Sequence, residues 1–454
     1  MNKIETLLPD TATLPITQII ANFAVAPIDR DAAAEAAHIA HLSLLDWIAV
    51  AVAGRDEPVA KIVRDLVTSD GGTPEAAVIG HDVKLPARAA ALSNGATSHA
   101  LDYDDTHFIY LGHPTVAVMP AAMAVAEKFG RSGAAFLDAA LVGLETACCI
   151  GEWLGRGHYQ HGFHQTATSG SFGAAAAVSR LLGLDVERTC HALGIAATKA
   201  SGLKSQFGTM GKPYHAGLAA ANGVEAALLA QAGFVSRPDG LECEQGFALT
   251  HAGEQNTSPL AMGELGRKYA FTEVQHKFHA CCHGTHAPVE ALISARDDHG
   301  ALPADIEDVQ LTVNPRLLRV CNIEQPATGL EAKFSFRLTA AMALCGYDTS
   351  ALATFTAENC HEPTLVALRD RVRVVTDESL PESAAQIRIE RSSGDAIVVR
   401  HDICDPMPAA VREAKVRAKA AALLGQDRAE RCWMRIQELG TADEPVNLRE
   451  LAEL

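Results

Sequence analysis

Four short segments concentrate the side chains that could do chemistry. The first runs His99-Ala-Leu-Asp102-Tyr103-Asp104-Asp105-Thr106-His107 and continues to His113-Pro114-Thr115. Carboxylates and imidazoles at this density are costly to bury unpaired. They become useful where they hold a polar ligand or relay a proton. The plainer reading is a wet loop after a helix, with Asp105 or Thr106 capping the next helix. The second segment is His158-Tyr159-Gln160-His161-Gly162-Phe163-His164-Gln165-Thr166, leading into Ser169-Gly170-Ser171-Phe172-Gly173. Small residues at a helix start would expose amide donors and the positive dipole end to a carboxylate. The alternative is close helix packing that requires glycine.

The third segment holds Lys204 and then Lys212-Pro213-Tyr214-His215-Ala216-Gly217. A lysine before a small-residue helix can ion-pair a substrate, or act as a base if desolvated beside another cation. Otherwise it is simply solvated. The fourth is His276-Lys277-Phe278-His279-Ala280-Cys281-Cys282-His283-Gly284-Thr285-His286. Zinc is the obvious thought, and a zinc-stabilised protein built on His279, Cys281, Cys282 and His286 is one reading. The spacing resists it, because the thiols are adjacent and no His-Glu-x-x-His helix is present. No metal is therefore expected. The segment is expected to present Lys277, Cys282, His283 or His286 to a crevice between two structural units. Dinucleotide, P-loop and Gly-x-Ser-x-Gly motifs are absent from the chain. The remaining inventory is Lys, His, Asp and Tyr, suited to proton transfer next to carboxylates.

Helices must position most of these groups. Residues 29–54 place Ala36, Ile39, Ala40, Leu44, Trp47 and Ile48 at helical spacing, with Gly54 at the expected stop. Similar patterns cover 86–101, 116–129, 134–151, 169–182, 186–202 and 215–232. Beyond about residue 268 the pattern changes. Val309–Val313, Arg371–Val374 and Gln386–Glu390 alternate apolar and polar, and Ala396–Val399 comes after Gly394. These read as strands with one wet face, the last two forming a hairpin across Ser392–Gly394. Helical patterns at 286–297 and 333–346 lie between them. The expected architecture is mainly α: a large all-helical domain of residues 1–268 joined by 404–454, and a smaller α+β lid domain of residues 269–403. The helix at 408–425 is expected to dock back on the first domain.

Composition narrows the partners. The 454 residues carry 38 Lys+Arg against 55 Asp+Glu, a formal charge of −17. Nucleic acid and anionic membrane surfaces both call for a basic face. Neither is an expected partner. The most apolar long stretch, 134–150, is broken by Asp138 and Glu145, and no uninterrupted apolar run is long enough for a span. The N-terminus, MNKIETLLPDTATLPITQ, shows neither the apolar core nor the cleavage site of a secretory leader. Eleven scattered Cys do not form a disulfide framework. A reduced, cytoplasmic protein is expected.

Taken in order, these segments resemble the MmgE/PrpD family. That family includes 2-methylcitrate dehydratase, cis-aconitate decarboxylase and iminodisuccinate epimerase. The resemblance rests on Leu101-Asp-Tyr-Asp-Asp-Thr106 with His113-Pro114, His164 before the Gly/Ala-rich helix, Lys212-Pro213, Lys277 in Lys-Phe-x-Ala-Cys, and Glu331-Ala-Lys-Phe-Ser335. It implies a helical domain closed by both chain ends, a smaller α+β lid, a homodimer, and no metal or organic cofactor. It places Asp102, Thr106, His113, His164, Lys212 and Lys277 around a small anionic carboxylate substrate, with Cys282 and His283 nearby. Two departures stand out. Decarboxylase members carry a His near position 282, where this chain has Cys282, and a Tyr near 322, where it has Asn322.

The resemblance thus implies an enzyme that removes a proton next to a carboxylate on a small di- or tricarboxylate. Lys212 is the expected base, Tyr159 or His164 the opposing proton-transfer group, and Asp102 the residue that orients His113 or a lysine. Lys277, His113 and the helix start after His164 would neutralise carboxylates. Tyr159 and the missing Tyr at 322 tilt the expectation towards an epimerase-like isomerase. A hydro-lyase or decarboxylase of the same family is the enzymatic alternative, and a non-catalytic carboxylate-binding protein the alternative from another class.

Overall fold

The computed structural model describes residues 14–252, 260–441 and 443–453. The stretch in which a leader was sought falls largely on residues 1–13, outside the described residues. Among the described residues, nine main helices build the first part: α1 (Ile16–Val25), α2 (Ala34–Gly54), α3 (Pro58–Asp70), α4 (Ala87–Ser98), α5 (Thr115–Lys128), α6 (Gly133–Gln160), α7 (Gln165–Leu182), α8 (Val186–Lys199) and α9 (Gly211–Gln231). Neighbouring contacts join α6 to α7, α7 to α9, α4 to α9 and α5 to both α4 and α7. Ala-rich faces make this possible, because a small side chain lets two backbones approach. A Cβ on Gly173 would lie 2.5 Å from the carbonyl of Gly143, and one on Gly95 would lie 2.8 Å from Cα of Gly217. Gly54 obeys the same logic. It is the last residue of α2, and a Cβ there would meet the Thr97 carbonyl at 2.8 Å. Close approach, not a left-handed stop, explains that glycine.

The two polar groups that interrupt the apolar stretch of α6 have partners inside the fold. Asp138 takes a bidentate pair from Arg30 at 2.6 and 2.7 Å. Glu145 is fully buried and accepts from the amides of Ala270 and Phe271, both at 2.9 Å, and from the Cys149 thiol. Among the described residues α2 and α6 are long and apolar enough to cross a membrane, but 78% and 83% of their apolar windows are buried in the fold. The helix expected to stop near residue 151 runs on to Gln160, with a break at Gly155 (φ 69°).

The chain divides into two compact units, Met1–His276 with Leu424–Leu454, and Lys277–Leu423. The second unit is α+β. Strands β1 (Ile306–Val313), β2 (Val372–Thr376), β3 (Ala384–Arg391) and β4 (Ala396–Asp402) form one sheet in the order β2-β1-β3-β4. β1 and β2 are parallel and the other pairs antiparallel, with Leu311 opposite Ile387 and Ile387 opposite Val399. Period-two alternation turns Val309, Leu311, Val313, Ile387 and Ile389 into the core. There helix His286–Asp297 packs on β3 and β4 and helix Phe336–Leu344 packs on β2.

The division differs from the expected one in two respects. Residues 269–276 belong with the first unit, where the Ala270 and Phe271 amides donate to Glu145. Residues 404–423 belong with the second unit, not the first. Lys415 on helix Ala409–Leu424 pairs with Glu290 on helix His286–Asp297 at 2.5 Å, and Lys419 is buried. An amphipathic helix carries no label for which apolar surface it covers. The chain end does return to the first unit: helix Gln426–Leu439 packs on α2, and the Val446 and Leu448 amides donate to the Arg131 carbonyl and Glu127.

Candidate active site

Three helix ends and one loop of the first unit bring four imidazoles, two carboxylates and an ammonium together. α4 ends at Ser98 and His99 caps it. The loop 100–114 comes next. His164 is the N-cap residue of α7, and Lys212 and His215 lie in the first turns of α9. The close α4–α9 approach at Gly95 and Gly217 therefore sets the distance between His99 and the start of α9.

At the centre is Asp104, which is buried. Its Oδ1 lies 2.8 Å from Nδ1 of His99 and its Oδ2 lies 2.9 Å from Nδ1 of His113. Burial opposes the charge, but the two imidazoles hold the carboxyl well below its ordinary range. Asp102 sits at the edge, half-exposed, with its Oδ1 2.6 Å from the Lys212 ammonium and 3.7 Å from Nε2 of His113. The rings of His99 and His113 meet at 4.5 Å, and His164 lies 6.1 and 6.4 Å from them. Nδ1 of His164 is 3.1 Å from Nδ1 of His215, so one ring donates to the other. The exposed ring of Phe207 stands edge-on to His164 at 4.9 Å, with the Lys212 ammonium 5.6 Å from its centroid.

Burial, reinforced by Lys212 and neighbouring imidazoles, lowers the histidines. His113 falls to about 4 even though Asp104 opposes the shift. His215 falls to about 4, and His164 drops well below its ordinary value. At neutral pH these three rings are uncharged and Asp104 is ionised. The Nε2 of His99 is buried with no hydrogen-bond partner among the described residues. Ligand-type atoms of His99, Asp102, Asp104 and His113 all lie within 4.8 Å of one another, a spacing that suits a divalent ion. The Lys212 ammonium already supplies a cation to Asp102 there.

Backbone strain marks the same loop. Asp102 (φ 50°) and Leu111 (φ 56°) adopt the left-handed conformation without being glycine. The loop is tied down on several sides. Thr106 pairs with Gln275 through both backbone groups, at 2.8 and 2.7 Å. Nε2–H of His107 donates to the Ala270 carbonyl and its Nδ1 accepts from the Tyr110 amide. Asp105 accepts from the Ser43 and Thr115 hydroxyls, and Ser43 lies 3.0 Å from Nε2 of His276. Burial pushes the Asp105 carboxyl up to about 7 against those hydrogen bonds. Neither Asp105 nor Thr106 is a helix cap. Both fasten the loop.

The other expected site residues have contacts of their own. Tyr159 is on the last turn of α6, with the Lys204 ammonium 3.5 Å from its ring centroid and donating to its carbonyl. These contacts tie the end of α6 to the segment that carries Lys204. The neighbour of Lys212 is a carboxylate in place of the expected second cation. The start of α7 is packed against the loop that carries His113. The His113 amide donates to the Thr166 hydroxyl, Tyr110 donates to the Gln165 carbonyl, and Gly112 lies against the Thr166 amide. Gly170 and Gly173 serve helix packing. Lys277, Cys282 and His283 belong to the second unit. Lys277 is its first residue and is buried, the Cys282 amide donates to the Lys333 carbonyl, and His283 packs on His286 at 4.6 Å. Of the donors in the zinc reading, the rings of His279 and His286 meet at 4.9 Å. His279 contacts Thr349 at 2.7 Å and Glu290 at 3.3 Å, while Cys281 accepts from the Thr285 hydroxyl. Asn322 accepts from Arg337 at 3.0 Å.

Sequence reasoning picked out Asp102, His113, His164 and Lys212, and the structure gathers all four. It gave no role to His99, Asp104, His215 or Phe207. The signal for His99 and Asp104 was available: a five-residue spacing across a helix end, which folds back far enough for the imidazole to meet the carboxylate.

The MmgE/PrpD N-terminal domain matches residues 18–260 and the MmgE/PrpD C-terminal domain matches residues 279–439. The chain belongs to the MmgE/PrpD family. Similar proteins carry the name of one reaction, the decarboxylation of cis-aconitate. A cis-aconitate decarboxylase-like protein, oryM, from Aspergillus oryzae is 35% identical over 266 residues, 55% of this chain and 55% of that protein. The cis-aconitate decarboxylase of Homo sapiens is 29% identical over 377 residues, 77% of this chain and 76% of that enzyme. The one from Aspergillus terreus is 29% identical over 398 residues, 80% and 81%. The two matched domains of the MmgE/PrpD chain meet close to the division between its two compact units.

Proposed function

We propose that this chain is a lyase that decarboxylates a small unsaturated tricarboxylate of the cis-aconitate kind. The observation that carries the reading is the buried His99–Asp104–His113 relay with Asp102–Lys212 at its edge. The names of the relatives supply the reaction class. The tilt towards epimerisation rested on Tyr159 and on the missing Tyr at 322, whereas the named relatives are cis-aconitate decarboxylases and a cis-aconitate decarboxylase-like protein.

Lys212 exchanges its bond to Asp102 for a substrate carboxylate and neutralises it. A departing carboxylate leaves as CO2 most easily where no cation holds it, so the cation belongs on the neighbouring carboxylate that receives electron density. The C–C bond breaks, its electron pair passes into the conjugated system, and a proton returns to carbon. Lys212 or an imidazole of the cluster delivers that proton. Asp104 keeps His99 and His113 in fixed tautomers, with Nδ1–H towards the carboxylate and Nε2 available to substrate. Lys277 enters through the family resemblance as a second cation for carboxylates.

Proton NMR in D2O tests this over a panel of di- and tricarboxylates. Decarboxylation gives new vinylic and methylene signals, with one deuterium at the carbon of the conjugated system that takes up the proton. A second reading, proton exchange without C–C cleavage, is favoured by Cys282 and Asn322 standing where decarboxylases carry His and Tyr. It predicts deuterium uptake at an intact substrate. Turnover with no loss of CO2 from any tricarboxylate overturns the first reading.

A further inference from the structure

We infer that Cys282 and Cys321 are a redox pair that closes to a disulfide when the protein meets a low-molecular-weight disulfide or a hydroperoxide. The inference lies within the second unit and does not depend on the proposed reaction. Both cysteines hang on the same short segment. The Cys282 amide donates to the Lys333 carbonyl at 2.9 Å. Cys321 ends the helix Leu318–Cys321, after which Asn322 pairs antiparallel with Ser335 and the Ile323 amide donates to the Phe334 carbonyl at 3.2 Å. The Cys282 side chain is the strongest single influence on the Cys321 thiol. Gly284, two residues after Cys282, leaves the space that the Cys321 sulfur occupies, since a Cβ there would lie 3.0 Å from Sγ of Cys321.

The pair is asymmetric in the way that dithiol chemistry uses. Cys321 is fully buried, whereas Cys282 is half-buried. The hydrogen bond to Cys282, together with burial, pushes the Cys321 thiol well above its usual range, although Lys277 opposes the shift. Cys321 therefore keeps its proton and donates it to the sulfur of Cys282. A sulfur that receives a hydrogen bond is stabilised as the thiolate, the form that attacks. The third thiol nearby is not available. Cys281 is fully buried, accepts from Thr285 at 2.9 Å, and is pushed up to about 12. A link between adjacent residues would also strain the geometry that a disulfide requires.

The chemistry balances in two steps. The Cys282 thiolate attacks one sulfur of the oxidising disulfide and expels a thiolate, leaving a mixed disulfide. With a hydroperoxide it attacks the outer oxygen, breaks the O–O bond and becomes a sulfenic acid. Cys321 then gives up its proton, and its sulfur attacks Sγ of Cys282. The second thiol leaves, or water leaves from the sulfenic acid. The pair loses two protons and two electrons. The oxidant gains them as two thiols, or as an alcohol and water.

The test uses the full chain incubated with oxidised glutathione or hydrogen peroxide. Free thiols are alkylated, the protein is digested without reduction, and peptides are read by mass spectrometry. The expected product is a cross-linked pair of peptides carrying Cys282 and Cys321, lighter by about 2 Da than the two reduced peptides together and abolished by dithiothreitol. Cys321→Ser should instead accumulate a glutathione adduct on Cys282, and Cys281→Ser should leave the cross-link intact. Equal alkylation of all eleven cysteines before and after oxidant overturns the inference. So does a Cys281–Cys282 link, or a Cys321→Ser protein without an adduct at Cys282. The wild-type peptide map decides the matter even if a variant fails to fold.

Discussion

His107 should act as an acid-sensitive latch on the loop that carries Asp102 and Asp104. It is fully buried, and its two nitrogens have opposite jobs: Nε2–H donates to Ala270, and Nδ1 accepts from the Tyr110 amide. Protonation would place a hydrogen on Nδ1 and cancel the second bond. Burial lowers the group from 6.5 to about 4, outweighing the hydrogen bond to Ala270. The unfolded chain therefore binds more protons than the folded one between those values, and stability rises with pH across that window. The contribution is complete above about pH 6.5 and is lost as pH falls towards 4. Between pH 7 and pH 5 the linkage relation gives a loss of about 2 kcal/mol from this residue alone. His107→Gln keeps an amide donor for Ala270 but cannot titrate. Hydrogen–deuterium exchange of the 102–113 segment, corrected for the intrinsic rate at each pH, reads the local opening free energy. The wild-type value should drop between pH 7 and pH 5 by about 2 kcal/mol more than the variant's. Equal drops in the two proteins refute the latch.

The remaining predictions concern the same site and its supports. Lys212→Ala should lower turnover by about a hundredfold or more, with little change in melting temperature because the ion pair to half-exposed Asp102 contributes at most about 1 kcal/mol. A fully active variant removes Lys212 from the chemistry. Gly95→Ala should destabilise the first unit by about 1–3 kcal/mol and lower activity with it, since the new Cβ would meet Gly217 at 2.8 Å and part the helices bearing His99 and Lys212; an unchanged melt and rate contradict that. Asp105, raised to about 7, is favoured in its neutral form on folding, so its contribution falls as pH rises from about 4 to 7. Asp105→Asn should gain on the wild type by about 2–3 kcal/mol between pH 5 and pH 8, read from urea unfolding of the two proteins at both pH values; a constant gap refutes the assignment.

The sequence by itself determined the elements and most of the reactive inventory. Period 3.6 in the Ala-rich part and period 2 at 309–313 and 386–390 arise from which face must leave water, and that is a local property of the chain. The helices at 86–101 and 215–232 and the strand pairing across Ser392–Gly394 were legible for that reason. So were Asp102, His113, His164 and Lys212, because reactive side chains clustered at helix ends are visible without coordinates. Only the tertiary structure decided who meets whom. Tyr159 faces Lys204, Lys212 faces Asp102, and residues 409–423 stay with the second unit. Each outcome depends on a distance between segments far apart in the chain, set by glycines such as Gly95 and Gly217 that let backbones touch. Those distances fix the charge pairing, and composition does not encode them.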